Sequence, residues 1–196
     1  MRARIVVVLV AVLAGLLVAP SSAEAKSHSY AVIGFHKNYR HVFHSTLTWK
    51  VFRVSHGRRT LVEHHTWRAG SGFRRRSTDA CRRGDGWLPN GRYHPRLFKD
   101  YDGSLIKGRA IYLGDMPCHN GTLRRDLFIH TEQGPGSRQC KNRRGDQLCR
   151  WEYPQINDYQ SHGCIKLSPH DLKQLYRSWR HFTKAHYTNR VRVVVR

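Results

Sequence analysis

The sequence has few acidic residues. Only 13 Asp and Glu stand against 35 Lys and Arg, so the formal net charge of the 196-residue chain is +22. Such a charge favours polyanionic partners such as nucleic acids, anionic membranes or acidic polymers, but it does not select one of them. The sequence also lacks internal repeats, low-complexity tracts and a linker to a second domain, which excludes repeat architectures. We therefore expect one basic domain.

Long apolar runs are absent beyond residue 25, although a membrane-spanning helix needs about 20 apolar residues. The chain begins with two arginines in residues 1–4, continues with an apolar stretch over residues 5–19 and reaches Ala23-Glu24-Ala25. A basic start, a short apolar core and a small-x-small triplet are typical of a cleaved signal peptide. An anchor helix is the alternative, but the apolar stretch is short for one. We predict a signal peptide over residues 1–25 and an exported product without a membrane span.

Metal-binding motifs of the CxxC and HExxH types are absent. His64 and His65 are adjacent in a predicted strand, so their side chains should point to opposite faces of a sheet. We predict no metal and no other cofactor.

Nucleic-acid-binding motifs are absent too, because no helix-turn-helix, zinc-finger or RNA-platform pattern is found. The densest basic runs, residues 74–76 and 82–83, flank Cys81 in a predicted loop, and the remaining charge is dispersed. A specific nucleic-acid interface would gather basic and aromatic residues on one element. We predict no specific nucleic-acid partner.

The cysteines are odd in number: Cys81, Cys118, Cys140, Cys149 and Cys164. An exported protein can keep disulfides, so four of them can pair while one remains free. Cys140 and Cys149 bracket a polar loop that a bridge would pin, and this pairing would leave Cys81 with Cys118. The sequence permits two other pairings of these four.

Most of the chain has the alternation typical of strands. Apolar and polar residues alternate from Leu47 to Val51, turn residues follow at 55–58, and an extended pattern resumes over residues 60–67, which predicts a hairpin. Further strands are expected near residues 93–98, 110–113, 127–130 and 191–195. The segment from residue 73 to Gly86 is expected to be a surface loop, here called the Arg-rich loop.

One helix is well signalled after Ser168. Ser168 is a favoured N-cap, Pro169 follows at the first turn, and Leu172, Leu175, Tyr176, Trp179 and Phe182 recur at helical spacing. The fold class is therefore mainly β with one or two helices, that is α+β. Residues 26–44 are poorly patterned and are expected to form an irregular N-terminal arm before a domain over residues 45–196.

The segment Ser161-His162-Gly163-Cys164-Ile165-Lys166-Leu167 is typical of a catalytic thiol. A cysteine nucleophile needs a base or a positive field to form the thiolate, and amide donors for the oxyanion that follows attack on an acyl carbon. An unused or intermolecular thiol is the alternative.

A strand ending in His130, the SHGC segment, a capped helix and a valine-rich strand together resemble the YkuD-type L,D-transpeptidase catalytic domain. Residues 161–165 match the family motif position by position, and residues 69–72 and 88–93 are similar to its upstream glycine and Pro-x-Gly-x-aromatic elements. The resemblance covers about residues 47–195. It implies a YkuD-like β-sandwich with a helix following the catalytic cysteine.

The resemblance also implies roles for individual residues. Cys164 would be the nucleophile, His130 its base, and the carbonyl of Thr131 would orient His130. The amides of Gly163 and Cys164 would bind the oxyanion, and His162 would contact the substrate or a catalytic neighbour.

Two features depart from the family pattern. Thirty residues separate His130 from Ser161, about twice the usual spacer, and we interpret residues 132–160 as an inserted lid. Its Trp151 and Tyr153, together with Ser161 and Lys166, are the expected substrate contacts. Lys166 stands where the family commonly has arginine or asparagine, and lysine lacks their forked hydrogen bonding.

The function implied is a secreted, cell-wall-associated L,D-transpeptidase. It would form a Cys thioester with a peptidoglycan tetrapeptide stem, release the terminal D-alanine and transfer the acyl group to a stem amine, which cross-links the wall. The alternatives are an L,D-carboxypeptidase that hydrolyses the same thioester, and a catalytically silent basic protein that binds the wall. Partners are stem peptides and anionic wall polymers.

Overall fold

A computed structural model describes residues 27–187 and 189–196, so the predicted signal peptide at residues 1–25 lies outside the described residues. In the part described, two β-sheets and one α-helix form the fold, which confirms the mainly β, α+β prediction. The strands are β1 (His28–His36), β2 (Ser45–Ser55), β3 (Arg58–Ala69), β4 (Gly91–Tyr93), β5 (Arg96–Asp102), β6 (Lys107–Pro117), β7 (Leu123–His130), β8 (Ile165–Lys166) and β9 (Val191–Val195), and the helix is α1 (Pro169–His186).

The larger sheet has the strand order β3-β2-β1-β9-β4. Its central strand, β1, lies in the segment that we expected to be an irregular arm, and that expectation is wrong. Ala31, Ile33 and Phe35 of β1 are fully buried, and β1 pairs with β2 on one side and with β9 on the other. The neighbour β9 is at the far end of the sequence, so no local pattern indicates it.

The predicted hairpin is confirmed as β2 and β3, joined by His56 and Gly57. Both turn residues have positive φ angles, 48° and 72°, as a tight two-residue hairpin turn requires. The segment at 93–98, predicted as one strand, is instead two strands. It divides at Pro95, so that β4 joins the larger sheet and β5 the smaller one.

The predicted helix is confirmed as α1. The Ser168 side chain accepts a hydrogen bond from the Asp171 amide at 3.1 Å, and Pro169 occupies the first turn. Leu172, Leu175, Trp179 and Phe182 are buried and pack with both sheets in one hydrophobic cluster, whereas Tyr176 is only half-buried. Helix α1 therefore closes the core between the sheets.

The smaller sheet has the order β5-β6-β7-β8. The short strand β8 lies parallel to β7, with Ile129 beside Ile165 and His130 beside Lys166. This pairing brings the SHGC segment to the end of β7. Among residues 27–187 and 189–196, no helix has both the length and the apolar character needed to cross a membrane.

Candidate active site

His130 and Cys164 lie on the same face of the smaller sheet. Ile129 and Ile165, paired across β7 and β8, are both fully buried in the core. Because successive side chains of a strand point to opposite faces, His130 and Lys166 point away from this core, as does Cys164 just before β8. The sheet register therefore brings together the histidine and cysteine that the sequence separates by more than thirty positions.

This face forms the floor of a cavity of about 500 Å³. The turn between β5 and β6 forms one wall, residues 125–128 of β7 another, and the insertion contributes Asp146, Leu148 and Gln160. His130, Cys164 and Lys166 all line it. The insertion thus borders the site, and its role as a lid stays a prediction.

The Cys164 thiol is half-buried and is not part of a disulfide. Its Sγ donates a hydrogen bond to the Asp126 carbonyl at 3.7 Å. Burial raises the pKa of Cys164 to about 11, with a smaller contribution from Asp126, against the opposing effects of the Phe128 backbone and of Lys166 and Arg124. The resting side chain is therefore a neutral thiol at physiological pH.

The backbone beside the thiol is irregular. Asp126 has a φ angle of 52°, uncommon for a residue with a side chain, and the register of β6 against β7 shifts nearby. Its amide donates to Asp115 Oδ1 at 3.0 Å. Irregular strand positions are frequent next to active sites, where they re-aim individual groups.

The His130 ring is buried, and its Nδ1 lies 3.2 Å from the Thr131 carbonyl oxygen. When Nδ1–H donates to this oxygen, Nε2 is left unprotonated and can accept a proton. Burial lowers the pKa of His130 to about 3, assisted by the nearby positive charge of Lys166. The resting imidazole is therefore neutral. The Thr131 contact is made through its carbonyl, whereas its Oγ1 has no hydrogen-bond partner in the described part of the chain.

Ser161 shapes the SHGC loop from within. Its Oγ donates to the Cys164 carbonyl and accepts from the amides of Gly72 at 3.4 Å and Gly163 at 3.3 Å. The predicted substrate contact Ser161 lines the cavity, but its hydroxyl is engaged inside the protein. The Gly163 amide, assigned to the oxyanion by the resemblance, donates to this same hydroxyl in the described conformation.

Gly163 is needed for a reason that the sequence did not indicate. Its φ angle is 127°, and a Cβ added there would lie 2.2 Å from Nη2 of Arg124. The absent side chain therefore makes room for a guanidinium beneath the loop. A residue other than glycine would both strain the backbone and displace Arg124.

Arg124 is the functional residue that sequence reasoning missed. Its side chain is buried, and its guanidinium donates to four backbone carbonyls, those of Ala80, Gly86, Trp87 and His162. It thereby fastens the Arg-rich loop to the SHGC loop and places a positive charge near the Cys164 thiol. Among 35 Lys and Arg, no sequence signal distinguishes it beyond its place in a strand leading to His130.

His162 is exposed and is oriented by the Arg-rich loop. Its ring stacks on Phe73 with centroids 4.8 Å apart, and its Nδ1 contacts the Gly84 carbonyl. The ring lines the cavity at its rim. This position fits contact with a bound substrate better than proton transfer at Cys164.

Lys166 is buried on the cavity floor, where its ammonium forms an ion pair with Glu132. Burial raises the pKa of Glu132 to about 7, although Lys166 opposes that shift. The charge of Lys166 is therefore largely satisfied inside the protein. The exposed arginine that lines the cavity is instead Arg125.

Trp151 and Tyr153, predicted as substrate contacts, do not line this cavity, and their contact with a substrate stays a prediction. Trp151 packs edge-on against Tyr159 with ring centroids 4.9 Å apart, and the Tyr153 hydroxyl accepts from Arg68 Nη1 at 2.9 Å. Arg68 also stacks over the Tyr159 ring. These aromatic residues anchor the insertion to Arg68 of β3.

Two disulfides are present, Cys81–Cys118 and Cys140–Cys149, and the favoured pairing is confirmed. The first ties the Arg-rich loop to the end of β6, and the second closes a loop within the insertion. Cys81, Cys118 and His119 are grouped as metal ligands would be, but the disulfide removes both thiolates. A second group, of four carboxylates, lies in the insertion and next to it.

No protein-family model, curated protein or solved structure matches this chain. The resemblance to L,D-transpeptidases therefore stays a prediction from the sequence.

Proposed function

We propose that the protein is a cysteine acyltransferase of the L,D-transpeptidase type that acts on peptidoglycan tetrapeptide stems. The observation that carries the proposal is the shared face of β7 and β8. There a free thiol and a neutral histidine line one cavity, with Nδ1 of the histidine next to a carbonyl and Nε2 available as a base. A nucleophile, an oriented base and a substrate-sized cavity are the parts that acyl transfer requires.

In the first half-reaction, Cys164 Sγ attacks the carbonyl carbon before the terminal D-alanine while His130 Nε2 takes the thiol proton. The tetrahedral intermediate collapses as the C–N bond breaks, and His130 returns the proton to the leaving amine. The products are a Cys164 thioester and free D-alanine. In the second half-reaction a stem amine attacks the thioester carbonyl and His130 takes the amine proton. The C–S bond then breaks as the new amide bond is completed, and His130 returns the proton to the Cys164 thiolate.

Local charges support this sequence of steps. Cys164 and His130 are both neutral at rest, so the thiolate forms only as the proton moves to the imidazole. The positive charges of Arg124 and Lys166 both favour the thiolate. In a buried site such fixed charges stabilise developing negative charge more strongly than water does.

The cavity wall indicates where a stem could bind. Exposed Leu105 and Leu148 both line the cavity, one from the β5–β6 turn and one from the insertion. Arg125 is the exposed arginine of the cavity lining, whereas Lys166 is buried and paired with Glu132. We assign Arg125 to a substrate carboxylate and the two leucines to the apolar parts of the stem.

The test is chromatographic analysis of products from a purified tetrapeptide muropeptide, with and without a second stem as acyl acceptor. Transpeptidation yields a cross-linked dimer and one D-alanine per cross-link, whereas an L,D-carboxypeptidase yields tripeptide and D-alanine only. Cys164→Ala should abolish all products. Unchanged muropeptides with folded, reduced wild-type protein would reject the proposal in favour of a wall-binding role.

We place the protein outside the cytoplasm, associated with the wall. Its two disulfides are compatible with an oxidising compartment outside the cytoplasm, and its charge of +22 suits retention among anionic polymers.

A further inference from the structure

Four carboxylates cluster beside the cavity floor. Glu132, Asp146, Glu152 and Asp158 each contribute one oxygen to a group in which all four atoms lie within 4.8 Å of one another. The whole chain has only 13 acidic residues, so nearly a third of them meet at this one place. Glu132 is the first residue of the insertion, two positions after the end of β7, and the other three lie further along the insertion.

The protein satisfies only part of this cluster. Asp158 Oδ2 accepts hydrogen bonds from the amides of Glu152 and Tyr153, Glu152 Oε1 accepts from Gln147 Nε2 at 2.9 Å, and Glu132 Oε1 pairs with Lys166. Each of these contacts uses one oxygen of the carboxylate. The contacts fix the orientation of all three carboxylates, but the second oxygen of each receives no hydrogen bond from an N–H or hydroxyl donor among the described residues.

Those second oxygens are the independent sign of a ligand. Glu132 Oε2, Glu152 Oε2 and Asp158 Oδ1 are fully buried and receive no hydrogen bond from an N–H or hydroxyl donor among the described residues. The Glu132 and Asp158 carboxyl groups instead lie within hydrogen-bond reach of each other, a contact that needs a shared proton or a cation. The Glu132 side chain is 7% exposed and Asp158 is 1% exposed, so water does not solvate them freely. Buried carboxylate oxygens are costly unless a hydrogen bond or a cation compensates them.

The charge balance calls for a divalent cation. Four carboxylates face one ammonium, that of Lys166, so one further ion of charge +2 brings the group close to neutrality. All donors are oxygens, which suits a hard cation and not zinc or copper. Ca²⁺ accepts several carboxylates in flexible loop geometry, whereas Mg²⁺ keeps most of its water.

We propose that Glu132, Asp146, Glu152 and Asp158 form a Ca²⁺-binding site that fastens the insertion to the floor of the cavity. The ion joins Glu132, which lies two residues after β7, to three residues of the insertion that lie outside any strand or helix. The Cys140–Cys149 disulfide and the Arg68–Tyr153 contact then fix the remainder of the insertion. This proposal does not depend on the acyl-transfer function, because ion binding is measured without any substrate.

The test uses the full oxidised protein after treatment with EDTA and buffer exchange. Calorimetric titration with CaCl₂ should give one site with a Kd on the order of 10⁻⁴–10⁻³ M, as for extracellular Ca²⁺ modules. At a tenfold excess over Kd, the thermal midpoint should rise by about 3 °C. MgCl₂ should bind at least about tenfold more weakly.

The variants separate this site from adventitious binding. Asp146 is exposed and Glu152 is half-buried, so the double variant Asp146→Asn, Glu152→Gln should fold and weaken Ca²⁺ binding at least tenfold. Glu63→Gln, a carboxylate of the larger sheet that is absent from the cluster, should bind as the wild type does. No heat of binding and no thermal shift at 10 mM CaCl₂, a scale set by extracellular sites, would overturn the proposal, as would undiminished binding by the double variant.

Discussion

The two sheets of this protein bury different kinds of side chain. The larger sheet, with α1, buries apolar residues, and its buried polar groups are the small hydroxyls Ser29, Ser45 and Thr48. The smaller sheet and its insertion bury Arg124, His130, Glu132, Asp158 and Lys166. Burial of charge costs free energy, whereas burial of a large apolar side chain contributes about 1.5–3 kcal/mol. The apolar burial of the larger sheet therefore stabilises the fold, whereas the smaller sheet buries polar groups at a cost in free energy, as the proposed active site would require.

Of the effects that we expect to distinguish the two regions, the largest is on the rate of Cys164 acylation. His130→Gln removes the base while keeping a side chain that can hydrogen-bond the Thr131 carbonyl. It should lower the rate of Cys164 acylation by about 10²–10⁴-fold, the usual contribution of a general base. Stopped-flow or quenched-flow acylation with a muropeptide measures this. An unchanged rate would remove His130 from the mechanism.

Arg124 and Arg125 are adjacent in β7, but Arg124 is buried and Arg125 is exposed. Substituting each in turn compares the contribution of a buried and of an exposed guanidinium to stability. Arg124→Met leaves four carbonyls without their donor and should lower the free energy of unfolding by roughly 3 kcal/mol or more. Arg125→Met, at an exposed position, should change it by less than about 0.5 kcal/mol and instead raise the KM for a stem peptide.

Urea unfolding curves and steady-state kinetics on both variants provide the comparison. Equal stability of the two variants would show that the Arg124 network contributes little, and an unchanged KM for Arg125→Met would remove that residue from substrate binding.

A core substitution in the other region should have the converse effect. Leu175 is fully buried in α1. Leu175→Ala should cost about 2–5 kcal/mol of stability through lost burial and a cavity, yet the folded fraction should acylate at the wild-type rate. A slower rate per folded molecule would mean that the core and the site are coupled.

The smallest effect concerns pH. Because burial raises the pKa of Cys164 to about 11, the thiolate fraction rises tenfold for each unit of pH below that value. Alkylation of the free thiol by iodoacetamide, followed by mass spectrometry, should therefore accelerate about tenfold per pH unit between about pH 7 and pH 9. A rate that is flat across this range would reveal a thiolate–imidazolium pair already formed at rest.

Local signals in the sequence predicted the elements that are defined locally. The cap at Ser168 and the spacing of Leu172, Leu175 and Trp179 were sufficient for α1, and the turn residues His56 and Gly57 for the hairpin. Strand β1 was missed because β9, one of its two partners, is more than 150 residues away. The alternation of β1 is also obscured, since Val32 and Gly34 stand at positions where an alternating strand would have polar residues.

The site divides in the same way. Cys164 and His130 could be predicted because they belong to a sequence motif, and the register of β8 against β7 brings them to one face of the sheet. Arg124 and Glu132 could not be identified, because their importance comes from burial, which only the assembled fold decides. Trp151 and Tyr153 were assigned to the substrate because they are aromatic residues in an insertion, but Arg68 and Tyr159 offered them closer partners within the protein.

The most direct test of the account is intact-mass spectrometry of the oxidised protein mixed with a tetrapeptide muropeptide and quenched in acid. We predict an adduct with the mass of the stem minus D-alanine, located on Cys164 by peptide mapping, and its absence in Cys164→Ala. An adduct that persists in Cys164→Ala, or none in folded protein with a reduced Cys164, would contradict it.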